Sequence, residues 1–214
     1  MSTVLNIESL RTAPVQTDPF PFFIVERSID DTQLAGILQD FPSIEDGGSF
    51  NVDDVEISPR FQQFLQSIDS PEFRQIIRDK FAVDVMDLPM MMTLRGYSRK
   101  KDGRIHTDSK TKLVTILIYL NDEWTASSGR LRMLRDGENM DDYVAEITPG
   151  PGSLVAFKVT DNCWHGYPSY EGTRRSIQIN FLTSEKASSK HRFFHKLSAK
   201  LKALFRRNKS AVKH

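Results

Sequence analysis

Cysteine is nearly absent: Cys163 stands alone in 214 residues. One thiol makes no intrachain disulfide, and a closed structural zinc site built on cysteines is excluded. Long apolar runs are missing too. No stretch reaches the 18 or so residues of a membrane-spanning helix. The start, M-S-T-V-L-N-I-E-S-L-R, lacks a basic segment followed by an apolar one, so no secretory signal is expected. These gaps together give the expectation of a reducing, cytoplasmic setting. Acid is missing from one region: residues 187–214 hold nine Lys or Arg and no Asp or Glu. The rest then carries 20 basic against 28 acidic residues, so an acidic body of net −8 precedes a basic tail. Histidine is scarce in that body. His191, His195 and His214 lie in the tail, which leaves only His106 and His165.

What is present reads as one globular domain. Apolar residues make 39% and charged residues 27%, an ordinary soluble composition. Residues 1–19 are polar and mixed, a lead-in segment. D-P-F-P-F-F-I-V then gives an edge strand over Phe22 to Val25, where proline is tolerated. Asp30 or Asp31 caps a helix with Leu34, Ile37 and Leu38 on one face, ending at Phe41-Pro42. Residues 43–57 are an acidic loop. Helical spacing returns from about Ser58 to Phe81, interrupted and restarted at Ser70-Pro71.

After Asp87 the period changes to that of strands. Met90 to Tyr97, Leu113 to Leu120, Leu131 to Leu134, Tyr143 to Ile147, Leu154 to Val159 and Ser176 to Leu182 read as short strands. Gly-containing turns separate them, and no helices intervene. That pattern predicts a mainly β jelly roll (a double-stranded β-helix) over 88–183, with flanking N-terminal helices over 28–81 supporting one sheet. The domain so bounded runs from 20 to 186. Met90-Met91-Met92 reads as core strand.

Two features carry chemistry. His106 and Asp108 form an H-x-D pair just before the strand at Leu113; on a strand, residues two apart share a face. His165, in D-N-C-W-H-G-Y-P, follows 57 positions after Asp108. Two imidazoles and a carboxylate make the triad that leaves open positions on Fe(II). The bland alternative is two packed histidines and a chance pairing. Arg174 follows nine residues after His165 and supplies a fork for the far carboxylate of a dicarboxylate ligand. Ser176 shares its strand face, and Tyr119 offers a phenol to the same group. Arg175, adjacent, is a surface charge or else the fallback for Arg174.

The ordered set H-x-D, T-I-L-I-Y-L-N-D-E-W, S-S-G-R-L-R-M-L, T-P-G-P-G-S-L-V-A-F and H-x8-R resembles the Fe(II)/2-oxoglutarate-dependent oxygenases. It is most similar to their prolyl 4-hydroxylase-like branch, over roughly residues 85 to 183. The resemblance implies that His106, Asp108 and His165 bind iron, and that Arg174 pairs with the C5 carboxylate of 2-oxoglutarate beside Tyr119. It implies that Tyr97 lies near the cosubstrate and that Ser176 completes an R-x-S pattern. Fe(II), 2-oxoglutarate and O2 are then required, with ascorbate as a reductant, and succinate and CO2 are the coproducts. A protein prolyl residue is the substrate it suggests; a free amino acid or small metabolite is the alternative. A jelly roll without chemistry is the reading from another class. A nucleic-acid demethylase of this superfamily carries a second arginine six residues after the first, where this chain has Asn180.

Two segments leave their roles open. The basic loop S-R-K-K-D-G-R, residues 98–104, is a substrate lid or a solvated hairpin tip. In the tail, Phe193, Phe194, Leu197, Leu201, Leu204 and Phe205 fall at helical spacing opposite Lys and Arg, the pattern of a basic amphipathic helix. It docks on the acidic body or a partner protein, lies peripherally on an anionic membrane, or meets nucleic acid.

Overall fold

Helix starts are set by side-chain caps. Asn6 accepts from the Ser9 N–H to open α1 (Ile7–Thr12). After strand β1 (Phe22–Val25), Asp30 accepts from the Thr32 N–H to open α2 (Asp31–Gln39). Ser58 and Ser70 cap α3 (Pro59–Ile68) and α4 (Pro71–Phe81), each with proline in the first turn, where its missing N–H costs nothing. The structure, a computed structural model, describes residues 4–184. The expected amphipathic helix of 187–214 lies outside them.

The remaining strands are β2 (Phe50–Asn51), β3 (Met90–Ser98), β4 (Lys112–Tyr119), β5 (Leu131–Leu134), β6 (Tyr143–Ile147), β7 (Leu154–Lys158), β8 (His165–Gly166) and β9 (Gly172–Leu182). They form two antiparallel sheets, ordered β1-β7-β4-β9-β3-β2 and β6-β5-β8. This is the expected jelly roll, and β1 is the expected edge strand. Among the described residues, no helix is long and apolar enough to cross a membrane.

Strand alternation divides two interiors. Val114, Ile116 and Ile118 of β4, with Ile177, Ile179 and Phe181 of β9, point toward the helices. Phe61, Phe64 and Ile68 of α3 and Phe73, Ile76 and Ile77 of α4 cover them. Each such side chain, fully buried, contributes about 1.5–3 kcal/mol, so the helices are part of the core and not an appendage. Met90 and Met92 pack on the same side. The opposite faces of β4 and β9 look into the space between the sheets. There Tyr119, Leu131, Met133, Val155 and Phe157 make a second cluster, and the polar side chains gather.

The lead-in and the acidic loop differ from expectation. The lead-in contains α1 because Leu5 and Leu10 bury against the helical core; six residues give too little periodicity to be read from sequence. The acidic loop hides β2, a two-residue edge on β3.

Candidate metal centre

His106 and Asp108 are not on a strand. The chain from Arg104 to Thr111 is irregular apart from one bridge, in which His106 and His165 exchange N–H···O bonds of 3.1 and 3.0 Å. That bridge extends the small sheet by one residue and sets the two rings 4.3 Å apart between centroids. The expected convergence thus comes from backbone pairing across 59 positions, not from alternation along one strand. His106, Asp108 and His165 each bring one ligating atom within 4.8 Å of the others.

Local contacts prepare those atoms. His106 Nδ1 donates to the Arg104 carbonyl and His165 Nδ1 to the Cys163 carbonyl, each at 2.8 Å. A carbonyl only accepts, so each ring carries a hydrogen on Nδ1, and Nε2 is the nitrogen left to face a metal. Burial, reinforced by the neighbouring His106, lowers His165 from 6.5 to about 4, so it is neutral near pH 7. Burial pushes the Asp108 carboxyl up. The charge of Lys112 and hydrogen bonds from Lys112 and Thr115 outweigh burial and hold Asp108 below its ordinary value. Two imidazoles, His165 neutral, and an ionised carboxylate are the donor set of a non-haem Fe(II) site.

The His165 shift has a measurable consequence. Between pH 6.5 and about 4 the unfolded chain binds a proton there that the folded chain refuses. Stability is therefore complete above pH 6.5 and is lost as pH falls toward 4. Urea midpoints of metal-free protein should drop steadily across that window, and His165→Phe should flatten the drop. An unchanged slope in that variant would refute the assignment.

The histidines line a cavity of about 110 Å³ together with Thr93, Arg95, Gly103, Thr115, Arg174, Ser176 and Gln178. Arg174 is 3% exposed. Its Nε donates to the Gly129 carbonyl at 3.1 Å and its Nη2 to Tyr119 Oη at 3.1 Å, while its guanidinium stacks 4.0 Å from the Tyr167 ring centre. Among the described residues no carboxylate pairs with it. A buried cation of this kind is costly unless an anion joins it, and the cavity is where that anion enters. Burial pushes the Tyr119 phenol up, so it stays protonated, with its hydrogen available to the same anion.

Arg174, Tyr119 and Ser176 thus come together, and Tyr97 does not join them. Arg95 faces the cavity, and alternation predicts that Tyr97 does as well. The register of β3 against β9 shifts between these two residues, and the shift inverts the alternation. Ser98 takes the inward place, 2.9 Å from Tyr167 Oη, while Tyr97 turns to an outer groove with Phe41 and Arg175. Arg175 pairs loosely with Asp122 at 3.7 Å, away from the cavity.

Sequence reading missed Tyr167, Arg95 and Thr115. Thr115 and Tyr119 share strand parity, so that signal was available; nothing local marks Arg95. From the basic loop 98–104, Gly103 lines the cavity. Asp102 anchors the loop to Arg95 and Arg99, and Ser169 Oγ donates to the Lys100 carbonyl at 2.9 Å. Gly103 accepts from the Tyr167 N–H at 2.8 Å with φ of 83°, and a Cβ there would come within 2.5 Å of that ring.

Residues 92–182 match the family described as the 2OG-Fe(II) oxygenase superfamily. Over that stretch the chain resembles this superfamily. It is a 2-oxoglutarate-dependent non-haem iron dioxygenase, and the family's Fe(II), 2-oxoglutarate and O2 suit the residues described above. Solved structures of similar fold include prolyl hydroxylases. One is a Pseudomonas putida prolyl-4-hydroxylase, 18% identical, with a TM-score of 0.52, over 82% of this chain and 91% of that one. Another is a prolyl 4-hydroxylase from Phytophthora capsici, 14% identical, TM-score 0.58, over 85% and 67%. A third is a Trichoplax adhaerens prolyl hydroxylase in complex with a hypoxia inducible factor peptide fragment, 17% identical, TM-score 0.50, over 87% and 90%. At these identities the likeness is one of fold. No curated protein matches the chain by sequence.

Proposed function

We propose that this dioxygenase hydroxylates an unactivated C–H bond of a prolyl residue in a protein. The observation that carries the reading is the pairing, in one cavity, of the His106, Asp108 and His165 triad with the buried Arg174, which meets no carboxylate among the described residues. The prolyl hydroxylases of the same fold support the choice of substrate.

His106, Asp108 and His165 would hold Fe(II), and Arg174 with Tyr119 and Ser176 would hold the far carboxylate of 2-oxoglutarate. When bound, iron and 2-oxoglutarate together activate O2 for insertion into a C–H bond, releasing succinate and CO2. The chain's own part is orientation and water exclusion. Its Nδ1–H bonds keep both imidazole lone pairs aimed at one point. Arg174 is fixed by Gly129, Tyr119 and Tyr167 before any ligand arrives, so little order is lost on binding.

The test is full-length protein with Fe(II), 2-oxoglutarate and O2, with and without a proline-rich peptide. Succinate release, and a one-oxygen mass gain on the peptide's proline, are expected; His165→Ala should abolish both. Succinate without peptide oxidation would redirect the reading to a free amino acid or small metabolite. No succinate and no iron retention would sink it.

A further inference from the structure

Asp108 lies in irregular chain, so strand geometry does not aim its carboxylate. Two side chains of β4 do. Lys112 Nζ donates to Oδ1 at 2.7 Å, and Thr115 Oγ1 donates to Oδ2 at 2.5 Å. Thr115 also lies 3.0 Å from Asn180 Oδ1, and its one hydroxyl hydrogen serves only one of these oxygens. A carboxylate without a proton can only accept, so the hydrogen belongs to Asp108. That leaves two oxygens, those of Thr115 and Asn180, facing each other with no hydrogen between them. Meanwhile Asn180 Nδ2 is buried without a partner among the described residues.

A half-turn of the Asn180 amide resolves both conflicts. The two ends of an amide are told apart only by their partners. Turned, Nδ2 takes the place beside Thr115 and donates to its oxygen. Its second hydrogen faces Gln178, 3.4 Å away, whose amide turns in step to accept. The chain of donors then runs Asn180 to Thr115 to Asp108 in one direction. Its frame is stiff. Thr115 and Asn180 are opposed in the β4–β9 register, both are 1% exposed, and the β-branched Thr115 side chain has little rotamer freedom. A polar pair buried this deeply is costly unless it serves a bond.

We propose that Thr115, oriented by Asn180, is a positioning residue that fixes Asp108 as a metal ligand through a single oxygen. With a donor of the chain on each oxygen, the carboxylate is held against rotation into a two-oxygen grip. A metal held by His106, His165 and one oxygen of Asp108 keeps its remaining positions for cosubstrate and O2. The inference rests on the metal-centre reading above, and its test separates the two.

Metal-free full-length protein is titrated with Co(II), followed by absorption spectroscopy and calorimetry. Thr115→Val keeps the shape and removes the hydroxyl; Thr115→Ser keeps the hydroxyl. Thr115→Val should weaken Co(II) binding about 10–100-fold and alter the absorption spectrum, as loss of a ligand's outer partner does. Thr115→Ser should restore both. A Thr115→Val protein with wild-type affinity and spectrum overturns the proposal while leaving the metal centre intact. If Thr115→Val does not fold, Asn180→Leu decides: weakened binding supports the proposal, and unchanged binding overturns it. A wild-type protein that takes up no Co(II) overturns the metal-centre reading itself, and this inference with it.

Discussion

Replacing Arg174 by methionine should abolish useful 2-oxoglutarate binding while leaving the ligand-free fold nearly as stable as before. The two halves of that result have one cause. The guanidinium is 3% exposed, and its partners are a carbonyl, a phenol and two aromatic rings, none of them an anion. In the empty fold it is an uncompensated buried charge, so removal relieves desolvation while losing ring contacts of about 0.5–2 kcal/mol. With 2-oxoglutarate present, the same removal strands a buried carboxylate. Truncating one side of such a pair costs about 2–5 kcal/mol, or roughly one and a half to three and a half decades of affinity. Calorimetry and ligand-dependent melting give both quantities. Arg174→Lys should fall between, since it keeps charge but loses the fork. Arg175→Met should bind normally, because Arg175 points to Asp122 and the Phe41 ring. Normal affinity in Arg174→Met would remove this residue from the site.

How much of this was legible follows from the range of each signal. β4 and β9 were legible because period-two alternation of β-branched residues is local. The helix starts near Asp30, Ser58 and Ser70 were legible for the same reason. The triad was legible because histidine is scarce, so His165 had few rivals. What failed was any inference that carried a regular period through an irregular place. H-x-D reads as a strand pair, yet His106 is held by a bridge to His165 from the far side of the fold. The resemblance sets Tyr97 near the cosubstrate, yet one register shift turns it out and gives the inward place to Ser98. Both are pairing events between distant strands, and neither leaves a mark in the residues around it. Arg95 and Tyr167 meet at the cavity by the same long-range pairing, which no short window contains.

Lys112→Met should produce the largest loss of stability in the metal-free protein, and metal should recover most of it. Lys112 and Asp108 form a 2.7 Å ion pair with side chains only 11% and 7% exposed. Breaking such a pair from one side leaves an uncompensated carboxylate and costs about 3–5 kcal/mol. In a domain of this size that lowers the melting midpoint by roughly 6–20 °C, at about 2–4 °C per kcal/mol. A divalent cation at the triad restores positive charge to the same carboxylate. Its stabilisation enters through binding to the folded state alone, so saturating Mn(II) should raise the midpoint more in Lys112→Met than in wild type. Scanning calorimetry with and without Mn(II) reads this directly. Pairing the change with Asp108→Asn removes the stranded charge, so the double variant should be more stable than Lys112→Met alone when both are metal-free. Equal stability of those two variants would mean that Lys112 does not compensate Asp108. The lysine therefore stands in for the metal's charge in the empty fold, which keeps the ligand carboxylate ionised and in place until the ion arrives.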